Sequence, residues 1–311
     1  MQILPKSGFV AVMGRPNVGK STLINALVGQ KVAAVSPRPQ TTRRQQLGIL
    51  TLENSQVIFV DTPGVHRPRH KLGENMNQLA REALEDCDLV LFMVDASQEP
   101  TEDDQLLADL ISSLKHTPPL IFVLNKVDLI SPELQLRRQV DYEHLLPSRY
   151  ISSERSKTLY VSATRGDNRQ NLLDEILARL PENSPFFPED QVTDLFEREI
   201  AGDLIREAAL IHLREEVPHG INVRVDEFTE RNDQGAFIAA TIFVEKESHK
   251  PIVIGKVGSM LKKIGTVARQ EIETMSGRKV FLQLRVKVRK NWRDDENALK
   301  QFGFLSKPKK R

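Results

Sequence analysis

Gly14-Arg15-Pro16-Asn17-Val18-Gly19-Lys20-Ser21 follows the apolar run Phe9–Met13 and opens a stretch, Gly19–Val28, with apolar residues at helical spacing. Strand, glycine-bounded turn and helix start in that order are the context a phosphate-binding loop requires. Glycine lets the backbone curl until its N–H groups converge on phosphate oxygens, and the helix N-terminus adds partial positive charge. Lys20 then reaches the β- and γ-phosphates, and Ser21, followed by Thr22, offers a hydroxyl to Mg²⁺.

Working outward, Val57–Val60, Leu89–Val94 and Leu120–Leu124 are further short apolar runs bounded by turn residues. Leu72–Leu84, Gln105–Leu114 and Asn171–Leu180 carry helical spacing between them. The alternation predicts an α/β domain over residues 1–180, a mostly parallel sheet with helices on both faces. Pro181–Pro188 breaks the pattern, so residues 181–191 read as a Pro-rich linker and 192–311 as a second, α+β domain.

The later strand ends identify the nucleotide. Asp61-Thr62-Pro63-Gly64 ends QVIFV, where open α/β sheets bind ligands, with Asp61 placed toward Mg²⁺ and the Gly64 N–H toward a γ-phosphate. Asn125-Lys126-Val127-Asp128 ends LIFVL. A carboxylate at Asp128 accepts from both N1–H and N2–H₂ of guanine, a donor pair adenine lacks, and losing that match leaves a buried charge unpaired. Val161-Ser162-Ala163 closes another strand and can offer a backbone N–H to guanine O6. The ordered set specifies a guanine-nucleotide site for GTP and GDP.

The net charge of +2 conceals an asymmetry. Residues 250–311 hold 17 Lys/Arg against 5 Asp/Glu, a net of +12, and residues 1–249 carry −10. A basic end on an acidic body suits a polyanion partner, although a solvated tail gives the same count. Asp194 is expected to cap a helix reaching about Arg214, with Leu195, Ile200, Leu204, Ala208 and Ile211 on one face. Strands Ile221–Phe228 and Ala236–Glu245, a helix–loop–helix and the strand Lys279–Arg289 complete an α-β-β-α-α-β order. Gly255-Lys256-Val257-Gly258 lies in the helix–loop–helix, with Lys262 and Lys263 on the following helix. This order and loop resemble a type II KH domain, whose GXXG loop clamps about four nucleotides of single-stranded nucleic acid. Arg285, Lys287, Arg289 and the tail Lys307–Arg311 extend the charge, or form a solvated face. With one Trp and 5% aromatic residues, no aromatic stacking platform is expected.

Together the motifs, and above all the stretch KVRKNWRDDE at 287–296, resemble the Era family of translation-factor-related GTPases over nearly the whole chain. The resemblance implies a P-loop GTPase domain joined to a type II KH domain. It implies slow hydrolysis of GTP to GDP and phosphate, because Val65 stands where Ras-like enzymes place the water-orienting glutamine. It makes Gln40-Thr41-Thr42-Arg43 the first switch, with Thr42, or alternatively Thr41, sensing Mg²⁺ and the γ-phosphate. It implies that Asn17 helps hold a K⁺ ion, although shaping the loop is an equal reading. Its implied partners are the 3′ end of 16S rRNA and the 30S subunit during assembly, bound by a monomer that also associates peripherally with membrane.

Composition excludes other classes. At 40% hydrophobic and 28% charged residues the chain is not mainly disordered, and no apolar run approaches the ~18 residues of a membrane helix. Cys87 is the only cysteine, so no intrachain disulfide forms. No signal-like pattern opens the chain, and a cytoplasmic location, including the cytoplasmic face of the inner membrane, is expected. Two other functions remain open on sequence: a signalling GTPase whose basic end meets anionic lipid, and an RNA-binding protein with a vestigial nucleotide site.

Overall fold

The computed structural model describes all residues except 1–3, 37, 39–40, 147, 151–155, 232–234 and 306–311. The tail Lys307–Arg311 and Gln40 of the first switch therefore lie outside the described residues. The chain divides into two compact units. The first comprises residues 1–33, 42–69 and 73–194, and the second 34–41, 70–72 and 195–311.

The first unit is built on strands β1 (Lys6–Met13), β2 (Gln46–Leu52), β3 (Ser55–Asp61), β4 (Leu89–Asp95), β5 (Leu120–Asn125) and β6 (Ser156–Val161). They lie in the order β2-β3-β1-β4-β5-β6, and only β2 runs antiparallel to its neighbour. Helices α1 (Lys20–Val28), α2 (Lys71–Glu85), α3 (Glu102–Ser112), α4 (Pro132–Glu143) and α5 (Arg169–Arg179) connect them. Because strand side chains alternate, β1 sends Ala11 and Met13 into one apolar cluster and Val10 and Val12 into another. Both faces are thus buried, which is why β4 and β5 read as continuous apolar runs.

Two elements of this unit escaped the sequence pattern. Gly48 interrupts β2, and it must be small, since a Cβ there would meet Ile24 Cγ2 of α1 at 2.6 Å. In α4 the amphipathicity is inverted: Leu136 and Val140 are exposed while Arg138 and Tyr142 are buried.

The Pro-rich segment is not a free linker. Ser7 N–H donates to Pro181 C=O at 3.1 Å, Gln56 Nε2 to Phe187 C=O at 2.9 Å, and Ile49 N–H to Val192 C=O at 2.8 Å. Backbone N–H groups of β1 and β2, with the Gln56 side chain of β3, hold residues 181–192 within the first unit, so the division falls after Asp194.

The second unit runs α6 (Glu197–His212), β7 (Asn222–Arg231), β8 (Gly235–Val244), α7 (His249–Ile254), α8 (Ser259–Ser276), β9 (Lys279–Val288) and α9 (Glu296–Gln301). β8 pairs antiparallel with β7 and parallel with β9, leaving β9 at an edge. Asp194 does not cap α6. Its carboxylate accepts from Leu47 N–H at 2.8 Å, and Phe196 occupies the cap position, where Glu199 reaches back to its N–H. Ile200, Leu204 and Ala208 are buried as expected, but Ile211 is exposed. Arg289 lies beyond the end of β9 and pairs with Asp295 at 3.2 Å, so of the three basic residues named for that face Arg285 and Lys287 remain on it. Trp292 is fully buried, donates to Gly220 C=O at 2.9 Å and packs on Phe302 and Phe304. Among the described residues no helix is long and apolar enough to cross a membrane.

Candidate nucleotide site and nucleic-acid groove

The turn from β1 into α1 depends on left-handed backbone at Asn17 (φ 67°) and Gly19 (φ 105°). Asparagine tolerates that region, and Gly19 needs it doubly, because a Cβ would meet Asn125 Nδ2 at 2.4 Å. Gly14 is pressed against the Met93 carbonyl and Gly64 against Pro16, where added Cβ atoms would stand at 2.4 and 2.6 Å. Val18 and Lys20 are buried, and Thr22 is half-buried in the first turn of α1.

Lys20 Nζ donates to the carbonyls of Gly14 at 2.8 Å and Arg15 at 3.1 Å. Burial lowers its pKa to about 8, against the opposing pull of Asp61 and with a further push from Arg15. Asp61 is fully buried and shifted upward by that burial, opposed by Lys20, Ser21, Thr42 and Gln46. Its Oδ2 accepts from Ser21 Oγ at 2.7 Å, Thr42 Oγ1 at 3.1 Å and Gln46 Nε2 at 3.2 Å, and Ser21 and Thr42 hydroxyls are 3.0 Å apart. Oδ1 is buried with no hydrogen-bond partner. Two hydroxyls and a carboxylate with an orphaned oxygen are the hard-oxygen set that suits Mg²⁺. Thr42 joins this cluster, whereas Thr41 Oγ1 donates to Arg38 C=O at 2.9 Å. Gln46 was missed by sequence, since nothing in an isolated strand residue announces it.

After Asp61, Thr62 donates to Val12 C=O at 2.8 Å and Pro63 is buried, which pins the start of the following loop to β1. The Val65 side chain is 2% exposed within the apolar core, so it cannot order a water by hydrogen bonding or by position. His66 Nδ1 lies 3.0 Å from Gly64 C=O.

The base-recognition loop is braced by Asn125. Its Nδ2 donates to Val18 C=O at 2.7 Å, and its Oδ1 accepts the Ala163 N–H at 3.0 Å. One buried amide thus ties the phosphate loop, the end of β5 and the end of β6 together. The Val161-Ser162-Ala163 turn, read as able to offer a backbone N–H to guanine O6, thus has its Ala163 N–H on Asn125, and its Ser162 N–H donates to Asp167 C=O at 3.1 Å. Lys126 (φ 65°) pairs with Asp95 at 2.6 Å. The Asp128 carboxylate is half-buried and makes no hydrogen bond or ion pair among the described residues, which leaves both oxygens available to a base. A further buried pair escaped the sequence: Arg15 Nε stands 3.2 Å from Asp104, a fully buried residue of the α3 capping box.

In the second unit, Gly255 (φ 74°) cannot carry a side chain, because a Cβ would meet Met260 N at 2.6 Å. Gly258 (φ 79°) faces open space and lines a groove of about 340 Å³ with Leu261, Lys262, Gly265, Leu282 and Leu284. Val257 at the tip is 99% exposed with φ 52°, a strained conformation for a β-branched residue. Thr266 and Arg269 also line the groove and were missed; they follow Lys262 at the i+4 and i+7 positions of one helix face. Lys256 and Lys263 are exposed but outside the groove lining.

A phosphate loop, a carboxylate–hydroxyl cluster and a free aspartate at three strand ends, with a GXXG groove on a three-stranded sheet, define a P-loop GTPase joined to a KH domain. Comparison with known proteins agrees. A family described as 50S ribosome-binding GTPase matches residues 9–126, and the KH domain family matches residues 216–293. GTPase Era of Halothermothrix orenii is 46% identical over 96% of this chain and 98% of its own length, and that of Geobacter metallireducens 45% over the same shares. A crystal structure of Era with MgGDPNP and nucleotides 1506–1542 of 16S ribosomal RNA superposes with a TM-score of 0.88 at 39% identity, covering 97% of this chain and all of that one. An Aquifex aeolicus Era variant bound to GDP·AlF4⁻ gives a TM-score of 0.89 at the same identity and coverage. The chain belongs to the Era family of GTPases.

Proposed function

We propose that this protein hydrolyses GTP slowly to GDP and phosphate, and that its nucleotide state governs how the KH groove holds single-stranded RNA at the 3′ end of 16S rRNA during 30S subunit maturation. The cluster of Ser21, Thr42 and the orphaned Asp61 oxygen beside buried Lys20 carries the first part. Those residues would hold Mg²⁺, which supplies neutralisation of phosphate charge when bound. Lys20 and the Gly14–Ser21 backbone orient the phosphates, and Asp128 selects guanine. Buried Val65 leaves no side chain at that position to orient the attacking water, so the rate is slow. Asn17, exposed at the loop crest, is the residue toward which K⁺ would bind.

Support for the RNA reading is the groove beside Gly258 within the basic segment, together with the 16S rRNA nucleotides present in the Era structure this chain resembles. The acidic remainder of the chain discourages nonspecific RNA contact. The same reading has the protein working in the cytoplasm; a monomeric state and peripheral association with the inner membrane are what the family resemblance implies.

The test measures two activities in one preparation. The full chain should turn over GTP in the presence of Mg²⁺ and bind a single-stranded RNA copying the 16S 3′ end. Gly258→Asp should abolish RNA binding and leave basal turnover unchanged. RNA affinity that survives the substitution refutes the groove assignment. Equal turnover in K⁺ and Na⁺ refutes the role of Asn17.

A further inference from the structure

The KH sheet has two faces, and the groove occupies only one. Val280, Leu282, Leu284 and Val286 of β9 point toward the helices and belong to, or pack against, the unit's core. Alternate residues of the same strand, Lys279, Phe281, Gln283, Arg285 and Lys287, are all exposed on the opposite face. None of the five is acidic, and none forms an ion pair among the described residues.

Phe281 is 67% exposed, unusual for a phenylalanine, and it is not alone. Its register partner on β8 is Phe237, and the two rings stack with centroids 5.7 Å apart and planes 16° from parallel. On β8 the neighbours of Phe237 on this face are Gly235 and Ala239, both small. The far end of the same face is closed, since Phe243 packs on Phe302 at 4.9 Å and under Arg224 at 5.2 Å. Acidic residues sit on the outer strand β7, where Asp226 is paired with Arg224 at 2.7 Å and Glu230 with Arg278 at 3.4 Å, while Glu227 stays exposed. The basic strand is β9, and β9 is the edge strand that also walls the groove through Leu282 and Leu284.

We propose that single-stranded RNA held at Gly255–Gly258 continues around the β9 edge and stacks a base on the Phe237–Phe281 pair, its phosphates running past Arg285 and Lys287. The inference rests on the RNA reading of the groove given above. An exposed aromatic face flanked by unpaired cations is the chemistry that takes a nucleobase without regard to sequence. Continuity with the groove along one strand favours RNA over a protein partner for this face.

Two fluorescein-labelled RNAs separate the sites at fixed salt: an unstructured four-nucleotide strand that fills the groove only, and an unstructured ten-nucleotide strand that reaches beyond it. Phe281→Ala in the full chain should weaken the ten-nucleotide strand by about tenfold or more and leave the four-nucleotide strand within twofold. Phe281→Tyr should retain affinity for both. Because the side chain is exposed, folding should be intact, which the fluorescence of buried Trp292 reports. Loss of both lengths with Gly258→Asp tests the groove independently; if that variant binds both normally, the underlying RNA reading fails. Unchanged affinity of Phe281→Ala for the ten-nucleotide strand overturns the stacking proposal alone.

Discussion

Asn125→Ala should destabilise the nucleotide-free protein by about 2–6 kcal/mol. Two buried hydrogen bonds are lost, to Val18 C=O at 2.7 Å and from Ala163 N–H at 3.0 Å, each contributing about 1 kcal/mol net. Where water does not reach the partners that Asn125, 2% exposed, had covered, the cost rises from that net value to about 1–3 kcal/mol for each group. Water entering the gap beside Gly19 brings the total to the lower end of the range. Against a typical domain stability of about 5–15 kcal/mol this is a large loss. Urea unfolding is the assay, read by two signals. Far-UV circular dichroism follows both units, whereas fluorescence of Trp292, the only tryptophan, follows the second. The circular-dichroism transition should move to lower urea while the fluorescence transition holds its midpoint. GDP affinity should fall in parallel, because the phosphate loop loses its tie to the base loop. A loss below about 1 kcal/mol would refute the bracing role and return Asn125 to a contact made only with nucleotide.

Three more outcomes follow from particular residues. Lys20, with a pKa lowered to about 8 by burial, regains its charge preference when an anionic phosphate arrives, so GDP binding should take up a proton above that pH. Affinity should be flat below pH 8 and fall as pH rises beyond it; calorimetry in buffers of different ionisation enthalpy checks the uptake, and a flat profile to pH 9 contradicts it. Asp128→Asn removes two charge-assisted acceptors of about 1.5–3 kcal/mol each, so GTP affinity should drop by roughly a hundredfold or more while xanthosine triphosphate gains, in a competition assay. Val257→Gly should raise the stability of the second unit by about 1 kcal/mol, because the left-handed φ of 52° strains a valine and not a glycine; a lower urea midpoint in the Trp292 signal would contradict this.

Much of the site was legible along the chain because each motif is local. A loop such as Gly14–Ser21, or a strand ending in Asp61 or Asn125, carries its chemistry within eight residues, and strand ends in a parallel sheet converge on one edge. The GXXG loop was legible for the same reason, as glycines with positive φ are demanded by the turn itself. Among the elements that escaped, two have a signal that depends on a neighbour: β2, where Gly48 makes room for Ile24, and α4, whose apolar residues face outward.

Pairing across long separations was decided by the tertiary structure alone. Asn125 as a brace, Gln46 beside Asp61, Asp104 behind Arg15 and Asp194 turned to Leu47 all join residues from different elements. Residues 181–192 look like a linker by composition, yet backbone groups of β1 and β2 and the Gln56 side chain of β3 claim them. Low aromatic content gives no hint of an aromatic pair, but register places Phe237 opposite Phe281, 44 positions away, and the two rings stack. Composition counts residues and motifs fix local backbone; which distant side chains meet is set by strand register and helix packing, and those are determined only when the whole core is assembled.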